Sequence, residues 1–174
     1  GSLTLTRADD ARDAHLIAVV QDVTHRKSLE KELLRQAFYD QLTGLANRAH
    51  LFAGVEASIE KMRRTGVQFA TLFLDLDGFK EVNDELGHEA GDAVLQGIAE
   101  RLSHQVRGHD MLARLGGDEF VVVLNDLGDR GHALSVARRI CEAAAAPFSI
   151  GDSVVTLAVS VGVAYAQPDD SADT

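Results

Sequence analysis

Apolar residues recur along this chain in two rhythms, and the switches between them mark out its elements. His15 to Val23 is short, apolar and β-branched, which predicts a strand. The residues before it are polar and charged, so it stands almost alone, and a lone strand belongs with a domain lying upstream. From Thr24, a candidate N-cap, Leu29, Leu33, Leu34, Ala37 and Phe38 fall at helical spacing. That stripe either docks on its own domain or pairs with its twin in a second copy, and the heptads are too few to choose. Asp40-Gln41-Leu42-Thr43-Gly44-Leu45 then breaks the rhythm with a glycine turn, and Asn47 caps a helix carrying Leu51, Phe52, Val55, Ile59 and Met62.

Val67 to Leu74 is a near-continuous apolar run, expected of a strand buried on both faces, and it ends at Asp75-Leu76-Asp77. Phe79, Val82 and Leu86 predict a short helix closed by Gly87; Val94, Ile98, Leu102 and Val106 predict a longer one. Met111 to Leu115 and Phe120 to Leu124 read as two strands of a hairpin turning at Gly116-Gly117-Asp118-Glu119. A helix from about Asp129 to Ala146 carries Leu134, Ala137, Ile140, Cys141 and Ala144 inward, and Pro147 follows it. Phe148 to Ile150 and Val154 to Tyr165 form a last hairpin about Gly151-Asp152, and the polar tail from Gln167 frays. The sum is a mixed α/β (α+β) fold, helices packed on a mainly antiparallel sheet.

Composition narrows the picture. The 174 residues suit one domain with a lead-in segment. A net charge of -10 argues against wholesale nucleic-acid binding, which needs excess Lys and Arg, but a nucleotide can still bind where metal ions supply positive charge. Cys141 is the only cysteine, so no internal disulfide forms and a reducing, cytoplasmic setting is expected; on its helical stripe it reads as a small core residue. No apolar run is long enough to span a bilayer, so no membrane contact is expected of this segment. Gly1-Ser2 reads as a cloning remnant, and the parent protein is expected to be larger, with or without a membrane anchor elsewhere.

The chemistry is expected where acidic residues gather at strand ends. Asp75 and Asp77 close a buried strand, and Asp118 and Glu119 sit at a hairpin tip. If those strands are neighbours, their carboxylates converge and need a cation between them, and hard oxygen ligands suit Mg²⁺. Gly116 and Gly117 allow backbone N–H groups to approach a phosphate closely, although a glycine pair with two acids is also ordinary hairpin material. Lys80, one helical turn beyond the Asp75 cluster, places a cation where phosphoryl transfer develops charge.

The string Arg114 to Phe120 reads RLGGDEF and resembles the signature of GGDEF-domain diguanylate cyclases. DQLTGLANR, from Asp40 to Arg48, resembles the amino-terminal motif of that family. FLDLDGFKEVNDELGHEAGD, from Phe73 to Asp92, resembles its second block, so the likeness spans Asp40 to Tyr165. It implies a nucleotidyl-cyclase-like fold and a homodimer that condenses two GTP molecules into cyclic di-GMP, releasing two pyrophosphates. By the same resemblance Asp75, the Leu76 carbonyl, Asp118 and Glu119 hold two Mg²⁺ ions per GTP site, with Mn²⁺ as a substitute. Asp118, Lys80 and Glu119 take the catalytic parts. Asn83 and Asp92 read guanine with His88 in the same pocket, although His88 also reads as an exposed helix-cap histidine, and Gly116 and Gly117 meet the phosphates.

Arg107-Gly108-His109-Asp110 fits RxxD, with five residues between Asp110 and Gly116, and resembles the product-inhibition site of family members. As residues alone they also read as a solvated charge pair ending a helix. IAVVQDVTHRKSLEKEL resembles the end of a PAS sensor domain and its signalling helix. The expected organisation is therefore 1–23 as that remnant, 24–39 as the linker helix, and 40–174 as a GGDEF domain without the family's usual final helix and strand. The alternative expectation is a silent module that binds GTP or cyclic di-GMP, which a degenerate signature would favour; this signature is intact.

Overall fold

A computed structural model describes residues 2–10, 13–21, 24–151, 153–167 and 169–171. The chain divides into two compact units, Gly1–Gln36 and Ala37–Thr174. In the first, strand β1 (Ser2–Asp10) pairs antiparallel with β2 (Asp13–Gln21) in continuous register from Ser2↔Gln21 to Asp10↔Asp13. The strand expected to stand alone thus has a partner in the polar segment before it. Backbone hydrogen bonding can recruit a segment that hydrophobic patterning passes over. Val23, the expected end of that strand, lies outside the described residues. Helix α1 (Thr24–Phe38) has no buried residue, and Leu29, Leu33 and Leu34 stand more than half exposed at 52%, 65% and 55%.

The larger unit begins with a turn. Asp40 N–H bonds the Leu45 carbonyl, Gly44 N–H bonds the Asp40 carbonyl, and Arg114 N–H bonds the Ala46 carbonyl. Helix α2 (Arg48–Thr65) follows, with the Asn47 side chain accepting from His50 N–H as its N-cap. Next come β3 (Gln68–Asp77), α3 (Phe79–Leu86) and α4 (His88–Ser103). The hairpin of β4 (Met111–Gly116) and β5 (Glu119–Leu127) leads to α5 (Arg130–Ala144). The last elements are β6 (Phe148–Ile150), β7 (Ser153–Val155) and β8 (Ala158–Tyr165).

The central sheet runs β4-β5-β3-β8, antiparallel throughout. Strand alternation splits its side chains between two cores. Leu72, Leu74, Leu76, Phe120, Val122 and Leu124 meet the buried faces of α3, α4 and α5. Phe69, Val121 and Val123 meet α2 through Leu51, Ile59 and Met62. This is the expected mixed fold, helices against an antiparallel sheet.

Several local expectations change. β3 is buried on both faces only at its start; Phe73 is 54% exposed because α2 covers part of that face. Leu86 is also exposed, and on α5 the buried stripe is Ala133, Val136, Ala137, Ile140 and Ala144, leaving Leu134 in solvent and Cys141 half-buried. The expected strand from Val154 to Tyr165 is two strands. β7 pairs with β6 in a small separate sheet, and after Thr156-Leu157 the chain enters the central sheet as β8. Asp152 of that expected turn lies outside the described residues. Gln167 does not fray away: its N–H bonds the Asp170 carboxylate at 2.7 Å, and Arg63 reaches the Asp170 carbonyl at 3.0 Å.

Candidate active site

The antiparallel register sets Asp75 directly opposite Glu119 across β3 and β5. Such cross-strand partners project from the same face, with Cβ atoms roughly 5 Å apart. Asp118 occupies the turn just before Glu119, half-buried. Gly116 and Gly117 carry φ values of 145° and 54°, which explains the glycine pair at a turn this tight. On the other side of β3, Ser160 of β8 faces Asp75 in register, and its hydroxyl lies 3.0 Å from each Asp77 oxygen. Sequence patterning offered no sign of Ser160, because its partnership depends on where β8 enters the sheet.

Asp75 and Glu119 line one open cleft with Phe73, Ser160 and Gly162. Among the described residues, Asp75, Asp118, Glu119 and Lys80 form no ion pair. Two facing carboxylates without a protein cation are electrostatically incomplete. No three His, Cys, Asp or Glu side chains among the described residues group into a ready metal site. The donor set present nonetheless fits Mg²⁺: carboxylates are hard ligands, and this ion keeps part of its shell for water and substrate phosphates.

The GG turn is itself held. Arg114 donates through Nε and Nη2 to the Gly117 carbonyl at 3.1 and 2.7 Å, and through Nη1 to Asp40 Oδ1 at 3.0 Å. Asp40 also accepts from Thr43 N–H and Oγ1 at 2.9 and 2.6 Å. Partial burial works against its ionisation, but the Thr43 and Arg114 bonds prevail and hold its carboxyl below the usual range. The two sequence motifs at Asp40 and Arg114 are thus one physical object, with Arg114 side chain only 10% exposed between them.

Lys80 lies in the first turn of α3, exposed. Asn83 stands on the same helix, half-buried, while His88 and Asp92 are exposed in the first turns of α4. The two helices meet at Gly87, whose φ of 84° and ψ of 164° belong to a backbone region open essentially to glycine alone. That joint turns α4 back against α3 and brings Asn83 against Gly91, the residue that precedes Asp92.

Arg107 and Asp110 separate in character. Arg107 is exposed, whereas the Asp110 side chain is 3% exposed. Asp110 Oδ2 accepts from Arg107 N–H at 2.9 Å, and Oδ1 accepts from Asn125 N–H at 3.0 Å. Asn125 continues the network, donating through Nδ2 to the His109 carbonyl at 2.9 Å and accepting from Ser58 at 2.8 Å. β5 bulges here against β3, and Asp126 takes a left-handed φ of 53° while pairing with Lys61. Neither Ser58 nor Asn125 was singled out by sequence, since nothing local marks them.

The GGDEF diguanylate cyclase domain model matches residues 37–174. The chain is 43% identical over 133 residues to the diguanylate cyclase TpbB of Pseudomonas aeruginosa, covering 76% of this chain and 31% of that protein. It is 38% identical over 159 residues to the signaling protein YkoW of Bacillus subtilis, covering 91% of this chain and 20% of the relative. The chain therefore spans a third or less of the length of these relatives. Among solved structures, a sensory box/GGDEF family protein from Caulobacter crescentus superposes with a TM-score of 0.73 at 42% identity, over 78% of this chain and 87% of that one.

Proposed function

The chain belongs to the GGDEF diguanylate cyclase family, and from that premise we propose that it condenses two GTP molecules into cyclic di-GMP. The observation that carries this reading is the in-register pair Asp75 and Glu119, with Asp118 in the adjoining turn, all without protein counter-ions. Asp75, the Leu76 carbonyl, Asp118 and Glu119 would hold two Mg²⁺ ions, or Mn²⁺, on the triphosphate. When bound, such ions would supply charge neutralisation at the phosphates and a lowered hydroxyl pKa.

The remaining work falls to the chain. Gly116 and Gly117 N–H groups receive phosphate oxygens, and Lys80 offsets the charge that develops on them. Asp118 accepts the proton of the attacking 3′-hydroxyl. The 3′-oxygen bonds to the α-phosphorus of the second GTP, the α–β bridging bond breaks and pyrophosphate leaves; the same exchange with the two nucleotides' roles reversed closes the ring and releases the second pyrophosphate. Asn83 and Asp92 present an amide and a carboxylate to the guanine edge, with His88 alongside. One domain holds one GTP, so a homodimer completes the site, and catalysis depends on how often two copies meet face to face.

Arg107 receives the product, its exposed guanidinium free to grip phosphate or guanine bidentately; Asp110, buried on its two backbone donors, serves that inhibitory site by holding its loop. Residues 1–23 and helix α1 are assigned to the end of an upstream PAS-like sensor and its signalling helix. No helix among the described residues is long and apolar enough to cross a membrane, and use of GTP places the domain on the cytoplasmic side.

Incubation with GTP and Mg²⁺ tests the proposal. Cyclic di-GMP and pyrophosphate are expected in a ratio of one to two. GTP binding with neither product would replace the enzyme by a nucleotide-binding module.

A further inference from the structure

We infer that Gly91 is a specificity-determining position: the missing side chain there leaves the space that fixes the Asn83 amide for base recognition. The inference rests on the proposed role of Asn83 and goes beyond it by naming what holds the amide in place.

Gly91 lies buried inside α4, on the side turned toward α3. It has no positive φ, so no turn requires a glycine there. Gly91 is the fourth residue of α4, and glycine within a helix is less favourable than alanine, so its presence needs another reason. A Cβ at Gly91 would lie 2.0 Å from Asn83 Oδ1, 3.0 Å from Asn83 Cγ and 3.3 Å from Phe79 Cζ. The first distance is far inside contact, so any side chain at Gly91 displaces the Asn83 amide.

A second, independent observation points the same way. Among the described residues the Asn83 side chain forms no hydrogen bond, and Asp92, one residue past Gly91, forms no ion pair. Contact with α4 therefore places the amide, its oxygen lodged against Gly91 and its N–H donors unspent within the chain. A half-buried amide held by contact and unspent in hydrogen bonding is suited to the donor and acceptor edge of a purine. A site built this way discriminates by leaving polar groups unpaired when the wrong base enters.

The experiment measures equilibrium binding of GTP and of ATP, each with Mg²⁺, to the wild-type chain, Gly91→Ala, Asn83→Ala and the double variant. Gly91→Ala is expected to weaken GTP binding about tenfold, the equivalent of one lost hydrogen bond. ATP binding should stay constant, because the phosphate-binding groups are untouched. In the Asn83→Ala background the added methyl has room, so Gly91→Ala should there change GTP binding by less than about twofold. Equal loss in both backgrounds, or a parallel loss of ATP binding, would show that Gly91 acts on the fold at large and overturn the inference. If Asn83→Ala alone leaves GTP binding intact while Gly91→Ala weakens it, Asn83 does not read the base and the inference falls with that role. If Asn83→Ala weakens GTP binding and Gly91→Ala does not, the base reading stands and only the inference falls.

Discussion

The two ends of strand β5 use the same residue types to opposite ends. At its start, Glu119 faces Asp75 and follows Asp118, and none of the three has a protein counter-ion among the described residues. Near its finish, Asn125 and the nearby Asp110 share a network in which Asp110 is almost wholly buried and spends both oxygens on backbone N–H groups. A buried carboxylate persists only when such donors replace water. An exposed one can remain uncommitted, at the cost of repulsion that a cation relieves. The lesson is that an acidic residue is available for chemistry here in proportion to what the fold has not already attached to it.

The comparison breaks most sharply at Asp118. Asp118→Asn should lower turnover of GTP by about two to three orders of magnitude, with the urea midpoint of unfolding unchanged. A large loss of stability instead would mean that the turn end is as structural as the Asn125 end. The opposite pattern is expected of Asp110→Ala. It leaves the Arg107 and Asn125 N–H groups without their acceptor and should destabilise the larger unit by about 2–4 kcal/mol. Arg107→Ala should leave stability within about 0.5 kcal/mol, as exposed substitutions do, while relieving inhibition by added cyclic di-GMP. Equal stability losses for Asp110→Ala and Arg107→Ala would erase the distinction drawn between them.

The smallest effect concerns Asp40, which shares Arg114 with the GG turn. Its folded pKa is depressed below the ordinary 3.8. Its contribution to stability is therefore present above that ordinary value and is lost as pH falls through the depressed one. Wild type should exceed Asp40→Asn in stability at neutral pH, and the gap should close below about pH 4. A gap that persists at low pH would show that the hydrogen-bond geometry of Asp40, and not its charge, ties the turn down.

Local pattern carried much of the outcome. The helices α2 and α5, α4 as far as Ser103 but short of the expected Val106, the β4–β5 hairpin and the Asn47 cap were legible because each depends on residues a few positions apart. Asp75, Lys80, Asn83, Asp92, Asp118 and Glu119 stood out as candidates for the same reason, each lying within a short motif. What sequence alone did not reach depends on contacts between distant segments. β1 took its place by backbone pairing with β2, and β8 separated from β7 to join β3, bringing Ser160 to Asp77. The rotation of the α5 stripe that leaves Leu134 exposed was settled by the neighbours it packs on.

The carboxylates themselves show the division most clearly. Residue type and spacing determined that acids would gather at the turn and at the end of β3. Only the tertiary structure decided that Asp110 would be enclosed, that Asp75 and Glu119 would stand open, and that Asp118 would be half-buried without a counter-ion. Burial and hydrogen-bond partners arise from segments far apart in the chain, and no local window of sequence contains them.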